Sequence, residues 1–208
     1  MKNKYLVIWL SAFLPFWASC QVSLGFTAST DLYQRYVNPN ADNGSMSGSA
    51  GSTLLNLGVG PKIWFGNKKY SFSLESQGVW GIFGLSSGDY KGLGTFSVPV
   101  MAKINFKGLS TFDREGLTGF TVGGGLQWSR TELYGLSNEA RNAGVTRAFF
   151  RTVVLQAGYG FGLSGFSLHG FVRYGFAPKG EGNTLNAGIQ YDFNPPMLKK
   201  ISGKESSL

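Results

Sequence analysis

Polar and apolar residues alternate along much of the chain, and the alternation is clearest close to its C-terminal end. Between residues 184 and 193 every second side chain is apolar, whereas most of those in between are polar. Because successive side chains of a strand point to opposite faces, this segment has one face suited to lipid and one suited to a polar interior. Its length matches the roughly 9–11 residues with which a tilted strand crosses a bilayer. The apolar face consists of Leu185, Ala187, Ile189, Tyr191 and Phe193.

The same pattern recurs in eight segments, which are separated by stretches rich in glycine, serine and asparagine that favour turns and loops. We therefore predict an all-β fold, an eight-stranded antiparallel up-and-down transmembrane β-barrel. An even number of strands places both termini on one side, as in bacterial outer-membrane barrels. The predicted strands span residues 21–37, 53–65, 70–85, 93–107, 117–133, 148–163, 166–178 and 184–193. Inner turns are predicted at residues 66–69, 108–116 and 164–165, and outer loops at residues 38–52, 86–92, 135–146 and 179–183.

The composition favours a barrel over a bundle of membrane helices. Aromatic residues make up 15% of the chain and charged residues 14%. After residue 20, however, no run of about 18 apolar residues occurs, and a membrane-spanning helix needs such a run. A closed barrel satisfies its backbone polar groups without one. Two aromatic girdles are predicted at the strand ends, the inner one formed by Phe65, Tyr70, Phe106, Phe161, Phe166, Tyr191 and Phe193, and the outer one by Trp80, Phe96, Trp128, Tyr174 and Phe176.

The two ends of the chain are predicted to lie outside the barrel, which is assigned to residues 21–193. Residues 1–20 have the form of a signal peptide, with basic Lys2 and Lys4, an apolar run and a small-residue exit. Cleavage after Cys20 and lipidation of Cys20 both fit this pattern. Since Cys20 is the single cysteine, no intramolecular disulfide can form. Residues 194–208 contain two prolines and three lysines and are predicted to be a periplasmic tail.

The formal net charge of +8 is spread over turns, interior and tail rather than gathered on one face. We therefore do not expect nucleic acid as a partner. One local group of arginines surrounds the third outer loop, where it fits either contact with lipopolysaccharide phosphates or a solvated loop rim. This group consists of Arg130, Arg141, Arg147 and Arg151.

A short segment carries a family resemblance. Residues 96–106, Phe-Ser-Val-Pro-Val-Met-Ala-Lys-Ile-Asn-Phe, resemble the Ile-Pro-Leu-Leu-x-Lys-Tyr-x-Phe strand of the PorT-like outer-membrane β-barrel family. The strand plan and Gln21 directly after the signal are similar to that family as well. The resemblance implies an integral protein of the outer membrane of a Gram-negative bacterium. Because the name-giving member is associated with protein secretion and gliding, it also implies envelope proteins as candidate partners.

The predicted interior contains charged side chains on neighbouring strands. Glu75 is expected close to Lys62 and Lys103, so that these three residues form an ion-pair cluster across adjacent strands. An eight-stranded barrel is just wide enough for its own side chains, and buried charges are tolerable when they are paired. We therefore predict a polar core that plugs the barrel, with a narrow ion or proton path as the alternative. The predicted lumen cluster comprises Lys62, Glu75, Lys103, His169, Arg173 and Asp192.

His169 is the only histidine in the sequence, so any histidine-based hydrolysis depends on it. Ser167 falls on the same inward face, which leaves open a lipid-modifying enzyme, although a packed lumen histidine explains the pattern better. One histidine and one cysteine do not assemble a common metal-ligand set, and we expect neither metal nor cofactor. The glycines at positions 158, 160 and 162 precede no helix and are interpreted as strand glycines that make room for bulky lumen side chains or let the barrel bend.

Taken together, the sequence predicts an integral outer-membrane barrel that is not an enzyme. Its expected role is structural or in protein interaction, as a subunit of an envelope or secretion assembly. The expected partners are outer-membrane lipid, lipopolysaccharide and envelope proteins. Two alternatives stay open, a small transport or channel protein and an outer-membrane lipid-modifying enzyme that uses His169.

Overall fold

The structure is a computed structural model, which describes residues 20–38, 47–52, 56–81, 93–134, 138, 142, 148–178 and 182–198. The described residues form one antiparallel sheet of ten strand segments. These are β1 (Gln21–Asn38), β2 (Ser47–Ser52), β3 (Asn56–Gly66), β4 (Tyr70–Ser76), β5 (Gly78–Gly81), β6 (Leu93–Lys107), β7 (Leu117–Tyr134), β8 (Phe150–Leu163), β9 (Phe166–Phe176) and β10 (Asn183–Phe193).

The sheet closes on itself, because β1 pairs with β10 on one side and with β3 on the other. Both β2 and β3 pair with β1, and both β4 and β5 lie between β3 and β6. The ten segments therefore make eight barrel strands, each antiparallel to its neighbours in sequence. The predicted eight-stranded up-and-down barrel is confirmed. In the described part of the chain, no helix is long and apolar enough to cross a membrane.

Two prolines explain why one barrel strand is split into β4 and β5. Pro99 on β6 lacks an N–H group and accepts a hydrogen bond from the Gln77 backbone at 3.1 Å without donating one in return. On the opposite side, β3 pairs with β5 up to Val59 and with β4 from Lys62 onward. Pro61 lies in that gap, as the sequence led us to expect for a residue that weakens the ladder.

The region after β1 differs from the sequence prediction. A loop was expected over residues 38–52, which is wrong for residues 47–52, because β2 pairs there with the end of β1. Its sequence, Ser-Gly-Ser-Ala-Gly-Ser, has no apolar alternation to signal a strand. A bulge between Asp31 and Tyr33 also shifts the register of β1, and Gln34 and Tyr36 are buried beyond it. Residues 39–46, 53–55, 82–92, 135–137, 139–141, 143–147 and 179–181 lie outside the described residues, as do residues 1–19 and 199–208.

The two faces of the barrel wall are chemically opposite. Large apolar side chains cover the outside, whereas most fully buried positions inside are polar or charged. The outer face also carries a row of aromatic residues close to the short turns, with Tyr70 opposite Phe106, Phe106 opposite Phe120 and Phe120 opposite Tyr159. We call this end, formed by residues 67–69, 108–116 and 164–165, the turn end, and the opposite end the loop end.

A small apolar cluster closes the turn end. Trp64, Phe112 and Met197 pack together with at most 5% of each residue exposed. Leu109 is also buried, and it belongs to a short 3-10 helix (Gly108–Ser110) in the same turn as Phe112. Met197 belongs to residues 194–198, which pack against the barrel although they were predicted to begin a tail. Asn194 holds this segment, since its backbone N–H donates to the Gly165 carbonyl at 2.7 Å. The barrel interior is therefore covered at the turn end by side chains of the chain itself.

Candidate functional site in the barrel lumen

A chain of ion pairs joins side chains of β3, β4, β6 and β10 inside the lumen. Lys62 Nζ lies 2.7 Å from Glu75 Oε2 and 2.9 Å from Asp192 Oδ2, and Lys103 Nζ lies 2.5 Å from Glu75 Oε1. These four side chains are at most 1% exposed. Each ammonium group thus has a carboxylate within direct contact, which is the condition under which buried charge is tolerated.

The strand registers account for part of this arrangement. Lys62 on β3 is directly opposite Glu75 on β4, and Lys103 on the next strand, β6, is opposite Ser73, the neighbouring inward position to Glu75. Alternation places all of these side chains on the inner face. Asp192 comes from β10, which is separated from β3 by β1, so its contact with Lys62 passes over β1 on the inner face of the wall.

Gln190 connects the charged groups, and the sequence analysis did not include it in the cluster. Its amide oxygen accepts hydrogen bonds from Lys103 Nζ at 3.0 Å and from Gln156 Nε2 at 3.2 Å. Its amide nitrogen donates to Glu75 Oε2 at 3.1 Å and to Asp192 Oδ1 at 2.9 Å. The inward register of Gln190 on β10 was the available signal. Its amide is uncharged, however, so charge pairing alone does not predict its place in the cluster.

Arg173 lies in the lumen without an ion pair among the described residues. Its Nε donates to Gln156 Oε1 at 2.8 Å, and its guanidinium lies 5.1 Å from the centre of the Phe171 ring, a distance typical of a cation–π contact. Within the described lumen, three buried cations match three buried carboxylates. The cations are Lys62, Lys103 and Arg173, and the carboxylates are Asp31, Glu75 and Asp192.

His169 is buried in the lumen, and neither ring nitrogen has a hydrogen-bond partner among the described residues. The Ser167 hydroxyl donates to Asp192 Oδ2 at 3.2 Å instead of to the imidazole. Among the residues that the structure describes, no serine hydroxyl is hydrogen-bonded to His169 in the way that nucleophilic catalysis requires. A Cβ atom at Gly158 would lie 2.8 Å from His169 Cδ2, and one at Gly160 would lie 2.6 Å from His169 Cβ. Gly158 thus leaves room for the His169 ring. At Gly160 and Gly162 the nearest atoms are the backbone carbonyl oxygens of Leu168 and Gly108, so close backbone approach accounts for those two glycines.

The remaining predictions concern a metal site and the group of arginines near the third outer loop. In the described ranges, no cluster of three or more histidine, cysteine, aspartate or glutamate residues is placed to hold a metal ion. Arg130 and Arg151 lie near the loop end, at positions paired with Phe96 and Trp128, and the Arg130 guanidinium is 5.9 Å from the centre of the Phe149 ring. Arg141 and Arg147 fall outside the described residues, so the grouping of the four arginines stays a prediction.

Comparison with known proteins gives resemblance in fold alone. No model of a known protein family matches the chain, and no curated protein matches it. The chain is similar to the N-terminal β-barrel domain of OprF from Pseudomonas aeruginosa, with 9% identity, coverage of 83% of this chain and 100% of that chain, and a TM-score of 0.42. It is also similar to Neisserial surface protein A, with 12% identity, coverage of 84% of this chain and 99% of that chain, and a TM-score of 0.42. A third similar structure is Ail, the attachment invasion locus protein of Yersinia pestis, with 12% identity, coverage of 83% of this chain and 99% of that chain, and a TM-score of 0.43.

At these identities and TM-scores the likeness carries no argument about function. The eight-stranded barrel is established by the strand pairing within this chain. The resemblance of residues 96–106 to the PorT-like family stays a prediction.

Proposed function

We propose that this chain is an integral outer-membrane β-barrel protein whose lumen is plugged and whose role is structural or in protein interaction. One observation carries the proposal: the wall is apolar outside, while the inside is filled by a paired ionic network. The finer proposal is that the barrel is a subunit of an envelope or secretion assembly in a Gram-negative bacterium.

The outer wall supports insertion into lipid. Leu57, Val59, Leu155 and Tyr159 are each more than half exposed, and they belong to a surface on which apolar side chains follow one another on nearly every strand. Soluble monomers rarely expose contiguous apolar patches larger than a few hundred Å². Hydrocarbon is a suitable environment for such a wall, since a closed barrel leaves no unpaired backbone edge toward the lipid.

The contacts inside the barrel favour a plugged lumen rather than an open channel. A continuous ion path would have to separate Lys62 and Lys103 from Glu75, and separating a buried pair leaves an uncompensated charge that costs several kcal/mol. The apolar cluster of Trp64, Phe112 and Met197 covers the same lumen at the turn end. A role in transport is therefore the weaker candidate. A lipid-modifying role is weaker still, because the Ser167 hydroxyl is engaged by Asp192.

The proposal is tested by following a tagged protein in a Gram-negative host. Inner and outer membranes are separated on a density gradient, and the outer-membrane fraction is solubilised in mild detergent for affinity purification and mass spectrometry. We expect the protein to migrate with outer membranes and to resist alkaline extraction, as an integral barrel should. A stoichiometric envelope protein that co-purifies would support the subunit role.

Recovery in the soluble or inner-membrane fraction would contradict the proposed outer-membrane location. A barrel that is recovered alone from the outer membrane would contradict the subunit role while leaving the integral location intact. The matched control is an unrelated tagged barrel at the same expression level, which removes partners that bind any barrel.

A further inference from the structure

A groove opens on the outside of the barrel at the turn end, next to the loop between β6 and β7. It has a volume of about 630 Å³. Its rim contains Lys68, Lys69 and Lys107, and its floor includes Tyr70, Phe106 and Phe120. We call it the turn-end groove. It lies on the wall and is separate from the lumen network.

The floor of the groove is flat and aromatic. Phe106 and Phe120 stack with ring centres 4.3 Å apart and an angle of 17° between the rings. Tyr70 is paired with Phe106, and both Tyr70 and Phe120 are exposed. They belong to the row of aromatic residues that encircles part of the turn end, and such rows mark the boundary between hydrocarbon and headgroups. An acyl chain would lie on this floor.

The rim of the groove is basic and held in place by the backbone. The Lys107 N–H donates to the Lys69 carbonyl at 2.8 Å. This hydrogen bond links the turn before β4 to the last residue of β6. Asn67 Oδ1 accepts from the Lys69 N–H at 2.9 Å, which fixes the turn. The lysines lie just beyond the aromatic row, at the depth where lipid phosphates are expected when the barrel is inserted.

Two carboxylates, Asp113 and Glu115, also line the groove, and they leave it with one excess positive charge. Asp113 is 6% exposed and turned back on its own loop, where its Oδ1 accepts from the Glu115 N–H at 3.0 Å. Among the described residues, the ion pairs are those of Lys62, Lys103, Glu75 and Asp192 in the lumen. The three rim lysines thus face two carboxylates without a direct pair within the described chain, and the groove keeps a net positive charge.

We propose that the turn-end groove binds one anionic glycerophospholipid. Its phosphate accepts hydrogen bonds from the ammonium groups of Lys69 and Lys107, with Lys68 at the edge, and an acyl chain lies against Phe106 and Phe120. Ammonium groups are good phosphate donors, and an aromatic floor beneath them favours a lipid over a free anion. This inference rests on the proposed insertion of the barrel into a membrane.

The experiment is native mass spectrometry of the purified full-length barrel with an equimolar mixture of phosphatidylglycerol and phosphatidylcholine. We expect one phosphatidylglycerol to be retained about fivefold more than phosphatidylcholine, since the groove has one excess positive charge and each basic residue near a headgroup favours an anionic lipid by about a factor of five. The variant Lys107→Gln removes that excess and should abolish the preference, and Lys69→Gln combined with Lys107→Gln should show no preference for the anionic lipid either.

The matched control is Arg35→Gln, which removes one exposed positive charge from β1 near the loop end and should leave the preference unchanged. Far-UV circular dichroism and heat-modifiable migration check that each variant is folded. Equal retention of both lipids by the unaltered protein, or an equal loss in the Arg35→Gln control, would overturn the inference. Complete displacement of the lipid by millimolar inorganic phosphate would overturn the lipid assignment in favour of a free-anion site.

Failure of this inference can be told apart from failure of the proposed function. A barrel that fails to insert into phospholipid vesicles contradicts the proposed function itself. A barrel that inserts and shows no preference for anionic lipid contradicts the groove assignment alone.

Discussion

Replacing Glu75 with glutamine is expected to lower the free energy of unfolding by about 3–5 kcal/mol, the usual cost of removing one partner from a buried ion pair. Lys62 keeps Asp192 at 2.9 Å after this change. Lys103 keeps its hydrogen bond to Gln190 and loses its direct carboxylate. The large effect therefore comes from one buried ammonium group left without a counter-charge. Urea titration of the barrel in phospholipid vesicles, followed by tryptophan fluorescence, measures it.

A second substitution provides the control for Glu75→Gln. Combining it with Lys103→Met removes the unpaired ammonium group and restores equal numbers of buried positive and negative charges in the described lumen. The double variant should recover most of the lost stability, because replacing a buried pair by uncharged groups is often close to neutral. A single variant that loses less than about 1 kcal/mol would mean that water reaches Lys103, which contradicts a dry plug.

Trp64→Ala is the other change with a large expected effect. Trp64 is fully buried at the turn end, where it packs with Phe112 and Met197 and lies 5.4 Å from Lys62 Nζ, measured to the ring centre. Removing it leaves a cavity between the apolar cap and the ionic network. The expected loss of stability is about 3–5 kcal/mol, as for other buried large-to-small changes.

The control for Trp64→Ala is Trp80→Ala, because Trp80 is half exposed on the outer wall. That substitution opens no internal cavity, because lipid fills the space it leaves, so it should cost clearly less stability than Trp64→Ala. The same urea titration compares the two variants. Equal losses would indicate that the turn-end cluster contributes no more than a lipid-facing side chain, which contradicts its role as a cap.

The barrel could be predicted from sequence because alternation sets the inward and outward faces of each strand. The same reasoning placed Glu75 near Lys62 and Lys103, since neighbours in sequence are neighbours in an up-and-down sheet. The strand Ser47–Ser52 was missed because serine, glycine and alanine give no periodic contrast. The bulge after Asp31 was missed as well, because an extra residue in one strand is set by pairing rather than by hydrophobicity.

Contacts across the lumen could not be derived from the sequence. The pair between Lys62 and Asp192 joins β3 to β10, and its register depends on how the barrel closes and how far its strands are staggered. The hydrogen bonds of Gln190 depend on the same stagger. The burial of Met197 after the last strand follows from the shape of the turn end. A segment rich in proline and lysine gives no sequence pattern that predicts such packing.

Single-channel recording in planar bilayers tests most directly whether the ionic network plugs the lumen. Purified barrel of verified fold should insert and give no regular conductance steps, because Lys62, Glu75, Lys103 and Asp192 occupy the interior of an eight-stranded barrel that is just wide enough for its side chains. Reproducible steps whose size changes in the Glu75→Gln variant would show ions passing along this network and would contradict the plug.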